Sequence, residues 1–399
     1  MENSRKRFLM LALIFTLIAV GLHFYLAQQH YGLKFGGATG PSVCNINSQF
    51  NCDAVAASSY STVFGVPVAV FGAVANLVLA FLLLVSWLGW TEDREAAARH
   101  SLWLAILIFL ASVVMGFISF TMMHTYCLFC LAAYVLSILT LLCAWMGAGG
   151  LGPFMDDVKA LFQERKWILG LFIAVPVLAF VSHVSTTKNL GGANLEPIVR
   201  DSLSRWSNAA TTAEFDHSRG LEMSNPDGAK MTIVEFADFR CSHCRHAYPT
   251  LHAFANAHPD VKFVFKYFPL DGTCNPAPAL GGRGDGISCL MASIVQCEQK
   301  TRQQGWEAHH YFFDNQESLV RIPAPDEVMK RYCDDQKADC EALKACVESG
   351  EIRDLVRASA MEGVTAGVQG TPSVFVNGKN LPNGQLIPVL EGAYRQLTK

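Results

Sequence analysis

The residues best suited to chemistry are two cysteine pairs with two residues between their members, Cys127 with Cys130 and Cys241 with Cys244. This spacing is typical of either reversible disulfide chemistry or a zinc site. A tetrahedral zinc site needs two further ligands, and His243 and His246 cannot easily supply both beside Cys241. The spacing therefore favours thiol–disulfide exchange, and we predict no metal site.

The second pair follows a β-branched, apolar run at residues 231–237 and precedes a segment that can form a helix to about His258. A strand-to-helix junction places Cys241 at a helix N-terminus, where the helix dipole and unpaired N–H groups favour a thiolate. His243 can add positive charge. Cys241 is then the attacking or leaving sulfur, and Cys244 resolves the mixed disulfide.

The composition of the chain indicates a membrane protein, with 51% apolar and only 16% charged residues. A helix needs about 20 apolar residues to cross the hydrocarbon core. Five runs are long enough, near residues 8–26, 66–88, 102–122, 128–146 and 167–185. The first run is either an anchor or a signal peptide, and the absence of a clear cleavage site favours the anchor.

The distribution of basic residues predicts how these spans are oriented. They cluster on one side of the predicted spans, which the positive-inside rule makes cytoplasmic, whereas Lys34 stands alone in the opposite long loop. Every cysteine except Cys143 then lies on the extracytoplasmic side or at that membrane face, which suits an oxidising compartment. Cys143 lies within the fourth span, and we assign it no chemistry. The clustered basic residues are Arg5, Lys6, Arg7, Arg94, Arg99, Lys159, Arg165 and Lys166.

The remaining features concern the soluble part of the chain. The net charge is −3, and no dense Lys/Arg patch is interleaved with aromatic residues, so nucleic acid is not expected as a partner. Residues 191–230 have the polar composition of a linker, with a short helix around Ile198–Ser207. A soluble domain is predicted from residue 231 to residue 399.

The segment Val368-Gln-Gly-Thr-Pro-Ser-Val-Phe-Val-Asn-Gly378 predicts a turn, an apolar strand and a second turn. Together with the motif at Cys241, it resembles the DsbA-like branch of the thioredoxin superfamily. The resemblance implies that Pro372 is cis, lies against the active disulfide and helps to bind substrate peptide. It also implies that Glu235, six positions before Cys241, transfers protons. Ser242 departs from the proline common in this family, which leaves the redox potential open.

Six further cysteines lie between this motif and the proline segment. We expect them to form structural disulfides, and the sequence does not choose among the possible pairings. They are Cys274, Cys289, Cys297, Cys333, Cys340 and Cys346.

The membrane-embedded half has its own cysteine pattern. Cys127 and Cys130 begin the fourth span, and Cys44 and Cys52 lie in the first extracytoplasmic loop. With the segment at residues 58–67 that opens the second span, this pattern resembles the vitamin K epoxide reductase family, including bacterial members fused to a thioredoxin-like domain.

The resemblance assigns roles to individual residues. It implies that Cys130 faces a quinone ring, that Cys127 exchanges with Cys52, and that Cys44 takes electrons from Cys241. It also implies that Ser61 and Tyr134 hydrogen-bond the quinone carbonyls. Animal members carry asparagine where Ser61 stands, so the quinone, ubiquinone or menaquinone, stays open.

These observations together predict an all-α membrane bundle followed by an α/β thioredoxin-like domain with a helical insertion. We expect a four-helix vitamin K epoxide reductase-like domain at residues 1–147, a loop and fifth span at 148–190, and a DsbA-like domain at 231–399. The predicted function is quinone-dependent oxidation of thiols in reduced exported proteins, in the bacterial cell membrane with the N-terminus cytoplasmic. The alternatives are reduction of vitamin K epoxide or quinone by dithiols, and a membrane-tethered disulfide isomerase or peptide-binding module.

Overall fold

The computed structural model describes residues 2–35, 42–46, 50–90, 94–123, 125–152, 154–190, 195–209, 214–224 and 228–399. The chain divides into two compact units. The first comprises Met1–Gly32 and Ser42–Ala193, and the second comprises Leu33–Pro41 and Asn194–Lys399.

Five helices in the described residues are long and apolar enough to cross a membrane, which confirms the number of predicted spans. Each consists largely of apolar residues that the surrounding lipid can solvate, and the backbone groups of the helix interior bond largely within the helix. They are α1 (Glu2–Phe35), α3 (Val68–Leu88), α4 (Arg94–Ile118), α5 (Leu128–Ala148) and α7 (Lys166–Asn189), and α4 continues as a π-helical turn over Ser119–Met123.

The connections of the first unit are short elements. Helix α2 (Cys52–Ala57) leads through a 3₁₀ turn (Ser59–Ser61) into a hairpin of β1 (Thr62–Val63) and β2 (Val66–Pro67). Helix α6 (Phe154–Gln163) precedes α7. The carboxylate of Asp157 in α6 accepts hydrogen bonds from Arg99 Nε at 3.0 Å and Trp103 Nε1 at 3.1 Å, which join α6 to α4.

The core of the first unit lies where its helices face one another. Leu79, Leu82, Leu83 and Leu102 are fully buried there and pack with Ile168 of α7. Burying a side chain of this size stabilises the fold by about 1.5–3 kcal/mol.

The second unit is built on one five-stranded sheet in the order β3-β5-β4-β6-β7. Only β4 and β5 pair in parallel, so the chain must cross the sheet between them, and a helix makes this crossover. The strands are β3 (Gly220–Ser224), β4 (Met231–Ala237), β5 (Val261–Tyr267), β6 (Ser373–Val376) and β7 (Lys379–Asn380).

Helices cover this sheet, and several form an insertion between β5 and β6. The parallel crossover is α9 (Ser242–Ala257), and the last helix is α16 (Ile387–Leu397). The insertion has six helices: α10 (Ile287–Arg302), α11 (Gly305–Asp314), α12 (Gln316–Leu319), α13 (Pro325–Gln336), α14 (Cys340–Glu348) and α15 (Gly350–Thr365). A thioredoxin-like α/β domain with a helical insertion is therefore confirmed.

The segment at residues 191–230, predicted as a linker with a short helix around Ile198–Ser207, contains a helix and a strand of the second unit. Helix α8 (Leu195–Asn208) belongs to the second unit, and its Trp206 Nε1 donates to the Val376 carbonyl at 3.2 Å. Strand β3 pairs with β5 at the edge of the sheet. Both elements are partly exposed and therefore keep a polar composition, which made them look like a linker. Residues 191–194, 210–213 and 225–227 of this segment lie outside the described residues.

Six of the eight cysteines of the second unit form three disulfides. Cys297–Cys346 joins α10 to α14, and Cys333–Cys340 joins α13 to α14. Cys274–Cys289 ties the loop after β5 to α10. These bonds hold the insertion together, because cross-linking lowers the entropy of the unfolded chain.

Candidate functional site

Four cysteines form one cluster in the first unit. Cys44, Cys52 and Cys127 are 1%, 2% and 2% exposed, and Cys130 packs against them. Cys44 and Cys52 are joined by a disulfide, whereas Cys127 and Cys130 are free thiols. A disulfide thus lies directly beside a dithiol, which is the arrangement that thiol–disulfide exchange requires.

The start of α5 holds the dithiol. Cys127 is the N-cap residue, and its sulfur accepts a hydrogen bond from the Cys130 backbone N–H at 3.1 Å. A sulfur in this position satisfies one of the unpaired N–H groups of the helix end and is favoured as a thiolate.

Side chains fix the loop that contains the disulfide. Asn51 caps α2 through a 2.8 Å bond from Ala54 N to its Oδ1, so Cys52 is the first helical residue. The buried Asp53 carboxylate accepts bonds from Ser42 N at 2.9 Å and Asn45 Nδ2 at 2.7 Å. These contacts close the loop on both sides of Cys44. Residues 47–49 lie outside the described part of the loop.

A cavity adjoins the cluster, with about 850 Å³ of space including its open mouth. Apolar side chains make up most of its wall, together with Cys52, Cys127 and Cys130. This size and composition are typical of a site for a mostly apolar ring compound. The residues present therefore fit a quinone ring. Further lining residues are His23, Leu26, His30, Ser58, Tyr60, Ser61, Pro67, Met115, Ser119, Met123 and Tyr134.

Both residues that the sequence assigned to quinone carbonyls line this cavity. The Ser61 hydroxyl donates to the Ser58 carbonyl at 2.8 Å, so a bond to a ligand would have to replace this one. The Tyr134 hydroxyl has no hydrogen-bond partner in the described structure and keeps its donor available. Tyr134 is thus better prepared than Ser61 to bind a carbonyl oxygen.

The second unit positions Cys241 at the end of β4. Cys241 is the N-cap of α9, and the Cys244 backbone N–H donates to its sulfur at 3.4 Å. The half-buried Cys241 sulfur also lies 3.3 Å from the Thr371 carbonyl oxygen. The Thr371–Pro372 peptide bond is cis, as the resemblance implied. The proline segment therefore lies against the active pair.

The surroundings of the two thiols shift their pKa values in opposite directions. The pKa of Cys241 is lowered to about 6, chiefly by the hydrogen bond from the Cys244 thiol. An interaction with the Thr371 side chain and bonds from the backbone N–H groups of Cys244 and His243 add to this effect. Burial raises the pKa of Cys244 well above its ordinary value. His243 contributes through its backbone, and its side chain is exposed, so the positive charge predicted for it is not among the causes of this shift.

Glu235 on β4 is 1% exposed, and its Oε1 has no hydrogen-bond partner among the described residues. Burial, and then the negative charge of the Cys241 thiolate, raise the pKa of Glu235 to about 8. The Glu235 charge in turn helps to raise the pKa of Cys244. A carboxyl with this pKa can exchange protons at neutral pH.

Gln316 was not identified from the sequence. Its Nε2 donates to the Phe239 carbonyl at 2.8 Å and to the Cys241 carbonyl at 3.0 Å, and so it fixes the loop before α9. The sequence around Gln316 gives little indication of this role, because it shows only a polar residue shortly after a helix rich in aromatic residues. Gln316 is also 75 residues away from Cys241 in the chain.

The alkylation rate of Cys241 in the dithiol form should rise through pH 6 and level off above about pH 7. Because only the thiolate reacts and its pKa is lowered, reactivity is lost as the pH falls through 6. Site-resolved mass spectrometry of iodoacetamide labelling between pH 4 and 9 measures this profile. The same chain in denaturant is the control and should titrate near about pH 8.5. A folded midpoint above 8 would contradict the prediction.

Comparison with known proteins agrees with this division of the chain. Residues 10–145 match the model of the vitamin K epoxide reductase family, and residues 225–386 match a thioredoxin model. The resemblances drawn from the sequence are therefore confirmed for both halves.

Individual relatives are distant. A probable disulfide bond formation protein D of Bacillus anthracis is 27% identical over 183 residues, 43% of this chain and 76% of that protein. A Na⁺/H⁺ antiporter NhaA of Herminiimonas arsenicoxydans is 26% identical over 169 residues, 42% of this chain. The chain spans only 23% of that antiporter's length. Oxidised BdbD of Bacillus subtilis, a crystal structure, aligns with a TM-score of 0.39 and 21% identity, over 48% of this chain and 100% of that one.

Proposed function

Because this chain joins a vitamin K epoxide reductase domain to a thioredoxin-like domain, we propose that it is an oxidoreductase that forms disulfide bonds in exported proteins with quinone as electron acceptor. One observation carries the proposal: the Cys44–Cys52 disulfide and the Cys127/Cys130 dithiol pack in one cluster beside a cavity that Cys130 lines. This arrangement supports a relay that ends on a ring bound in the cavity.

The first step is oxidation of a client protein. A client thiolate attacks the Cys241–Cys244 disulfide at the half-buried Cys241, Cys244 leaves as a thiol, and a mixed disulfide forms between the client and Cys241. The low pKa of Cys241 favours it as the leaving group when this mixed disulfide is attacked in turn. A second client thiolate then attacks the mixed disulfide, so the client gains one disulfide and Cys241 and Cys244 become thiols.

The second step returns this pair to its disulfide. Cys241 attacks the Cys44–Cys52 disulfide at Cys44, Cys52 leaves, and Cys244 then attacks Cys241 and releases Cys44. Cys44 is 1% exposed, so this exchange requires the described residues around Cys44 to move. The hydrogen bonds from Ser42 and Asn45 to the Asp53 carboxylate would have to be released for this movement.

The last exchange takes place inside the cluster. With Cys127 and Cys130 as a disulfide, Cys52 attacks Cys127 and Cys44 then completes its own disulfide, which leaves Cys127 and Cys130 as thiols. A quinone bound in the cavity supplies the final acceptor for two electrons and two protons. Cys127 and Cys130 both line the cavity, and the family resemblance assigns Cys130 to the ring and Cys127, at the helix end, to the exchange with Cys52.

Other residues of the cavity bind and orient the ring. Tyr134 donates to one carbonyl oxygen, and Ser61 joins it when its bond to Ser58 is exchanged. Ubiquinone and menaquinone share these carbonyl groups. We assign the chain to the bacterial cell membrane as a multi-pass protein, with a cytoplasmic N-terminus and the thioredoxin-like domain outside.

An assay of the purified full chain in nanodiscs tests the proposal. A reduced dithiol peptide should be oxidised only when a short-chain quinone is present, with one hydroquinone formed per disulfide. Efficient reduction of vitamin K epoxide by a dithiol, without quinone-dependent peptide oxidation, would favour the reductase alternative. Rearrangement of a scrambled disulfide without any use of quinone would favour an isomerase.

Replacing Glu235 with glutamine is expected to slow reoxidation of the Cys241/Cys244 dithiol by roughly ten- to a hundredfold. Cys244 must lose its proton before it can attack, and Glu235 is the buried base proposed to accept it. Stopped-flow measurement of the dithiol-to-disulfide conversion with an oxidised peptide gives this rate.

The matched control is Glu298→Gln, since Glu298 is also a glutamate that is 1% exposed. It forms an ion pair with Arg302 in α10, away from the active cysteines, and its loss should leave the rate within about twofold. Equal slowing in both variants would show that Glu235 has only a structural role.

A further inference from the structure

A histidine in the first membrane span lines the same cavity as Cys130 and Tyr134. His23 lies on α1, and His30 lies seven residues later on the same helix, so both point to one helical face. Polar residues within a membrane span are costly and commonly functional. His23 has no part in the cysteine relay, and its ring therefore requires another explanation.

Most polar side chains around this cavity already have hydrogen-bond partners. Ser61 donates to Ser58 O, Ser119 donates to Thr125 O at 3.1 Å, and His30 Nδ1 lies 3.0 Å from Ala56 O. His23 differs, since its only recorded hydrogen bond is at Nδ1 and its Nε2 has no partner in the described structure.

The hydrogen bond at Nδ1 determines whether Nε2 can donate or accept a hydrogen bond. His23 Nδ1 lies 2.8 Å from the Ala19 carbonyl oxygen, and a carbonyl can only accept. Nδ1 therefore carries the hydrogen, and in the neutral ring Nε2 is a hydrogen-bond acceptor. Such an acceptor binds a hydroxyl group and has nothing to donate to a carbonyl.

The neighbouring helix leaves room for this ring. A Cβ atom at Gly72 of α3 would lie 2.1 Å from His23 Cδ2 and 2.3 Å from Nε2. Any side chain at position 72 would therefore displace the imidazole. Glycine at this position keeps the Cδ2–Nε2 edge of His23 in place between the two helices.

We propose that His23 Nε2 accepts a hydrogen bond from a hydroxyl of the reduced ring in the cavity, so that the site binds hydroquinone more tightly than it would without this residue. The proposal rests on the proposed function, because it takes the cavity as the quinone site. Tyr134 can donate to either form of the ring, whereas the contact with His23 forms only when the carbonyl that faces Nε2 has become a hydroxyl. His23 thus favours the product of electron transfer and the oxidised state of the cysteines.

Binding measurements test this inference without turnover. The full chain with Cys130→Ala, which cannot pass electrons to the ring, is titrated anaerobically with short-chain ubiquinone and with its hydroquinone, and both Kd values are determined by equilibrium dialysis. Adding His23→Leu should weaken hydroquinone binding about five- to tenfold and change quinone binding less than about twofold. Gly72→Ala should reproduce this pattern, since it retains the histidine but displaces its ring. His23→Gln, which restores an acceptor oxygen, should recover part of the loss.

His100→Leu is the matched control. His100 makes the same kind of bond, from Nδ1 to Ala96 O at 2.7 Å, but is not among the residues that line the cavity. It should leave both Kd values unchanged. Equal weakening of both ring forms by His23→Leu, or no effect on either, would overturn the role of His23 while leaving the proposed function intact. Failure of the parent chain to bind either form would overturn both.

Discussion

Quinone-dependent oxidation of a dithiol peptide is expected to fall by roughly a thousandfold or more when Cys130 is replaced with alanine. The residue would form the covalent link through which electrons leave the chain, and such residues have no substitute in their site. Hydroquinone formation by the purified chain in nanodiscs measures the loss directly. In cells, acid-trapping followed by thiol alkylation should find Cys241 and Cys244 accumulating in the reduced form.

Cys143→Ala provides the control for this experiment. Cys143 is a free thiol on the same helix, α5, but it packs with the apolar core of the first unit and is not among the residues that line the cavity. Its loss should leave hydroquinone formation within about twofold. Cys241–Cys244 remaining oxidised in cells that carry Cys130→Ala would show that electrons leave the chain by another route.

The second large effect is expected in the soluble domain, where Cys241→Ala should abolish client oxidation. Cys244→Ala should act differently, because Cys241 can still attack the Cys44–Cys52 disulfide and release Cys52. A client thiolate then attacks Cys241 and releases Cys44, and the Cys244 thiol that would free Cys241 from this mixed disulfide is missing. The Cys244→Ala chain should therefore accumulate disulfide-linked complexes with client proteins, visible on non-reducing gels and absent after reduction. Its half-buried Cys241 sulfur remains accessible to a client.

Ser242→Ala is the corresponding control, because Ser242 lies between the two cysteines and its side chain is exposed. This variant should retain client oxidation and trap no complex. Trapping by Cys241→Ala in place of Cys244→Ala would reverse the assignment of the two sulfurs. It would also contradict the lowered pKa of Cys241.

Much of the fold follows from local patterns. The five spans are continuous apolar runs, and a run of that length has few alternatives to a membrane helix. Strand β4 is equally evident, because six of its seven residues are β-branched or apolar. The segment at residues 191–230 gave a weaker signal: its short helix was predicted, but its packing on the second unit was not. Helix α8 and strand β3 pack only part of their surface, so their composition resembles that of exposed loops.

Some residues of the candidate site can likewise be identified from the sequence, and others only from the tertiary structure. Both cysteine pairs can be identified from their spacing in the sequence. Pro372 and Glu235 can be identified from their positions in motifs of a known family. Gln316 does not, because its contact with Cys241 joins residues far apart in the chain through a helix of the insertion. In the sequence, His23 is one polar residue in an apolar run. Only the tertiary structure shows that it lies beside Gly72 and lines the cavity.

The sequence by itself thus determined that this chain has paired, redox-capable cysteines on a membrane bundle and on a thioredoxin-like domain. Residue types, short spacings and hydrophobic run lengths are local properties, and they suffice for these conclusions. The tertiary structure decided which sulfurs are neighbours, how the six insertion cysteines pair, and which polar atoms beside the cavity have no partner. Those features depend on contacts between distant segments, since a disulfide or a lining residue is defined by where folding brings two parts of the chain together.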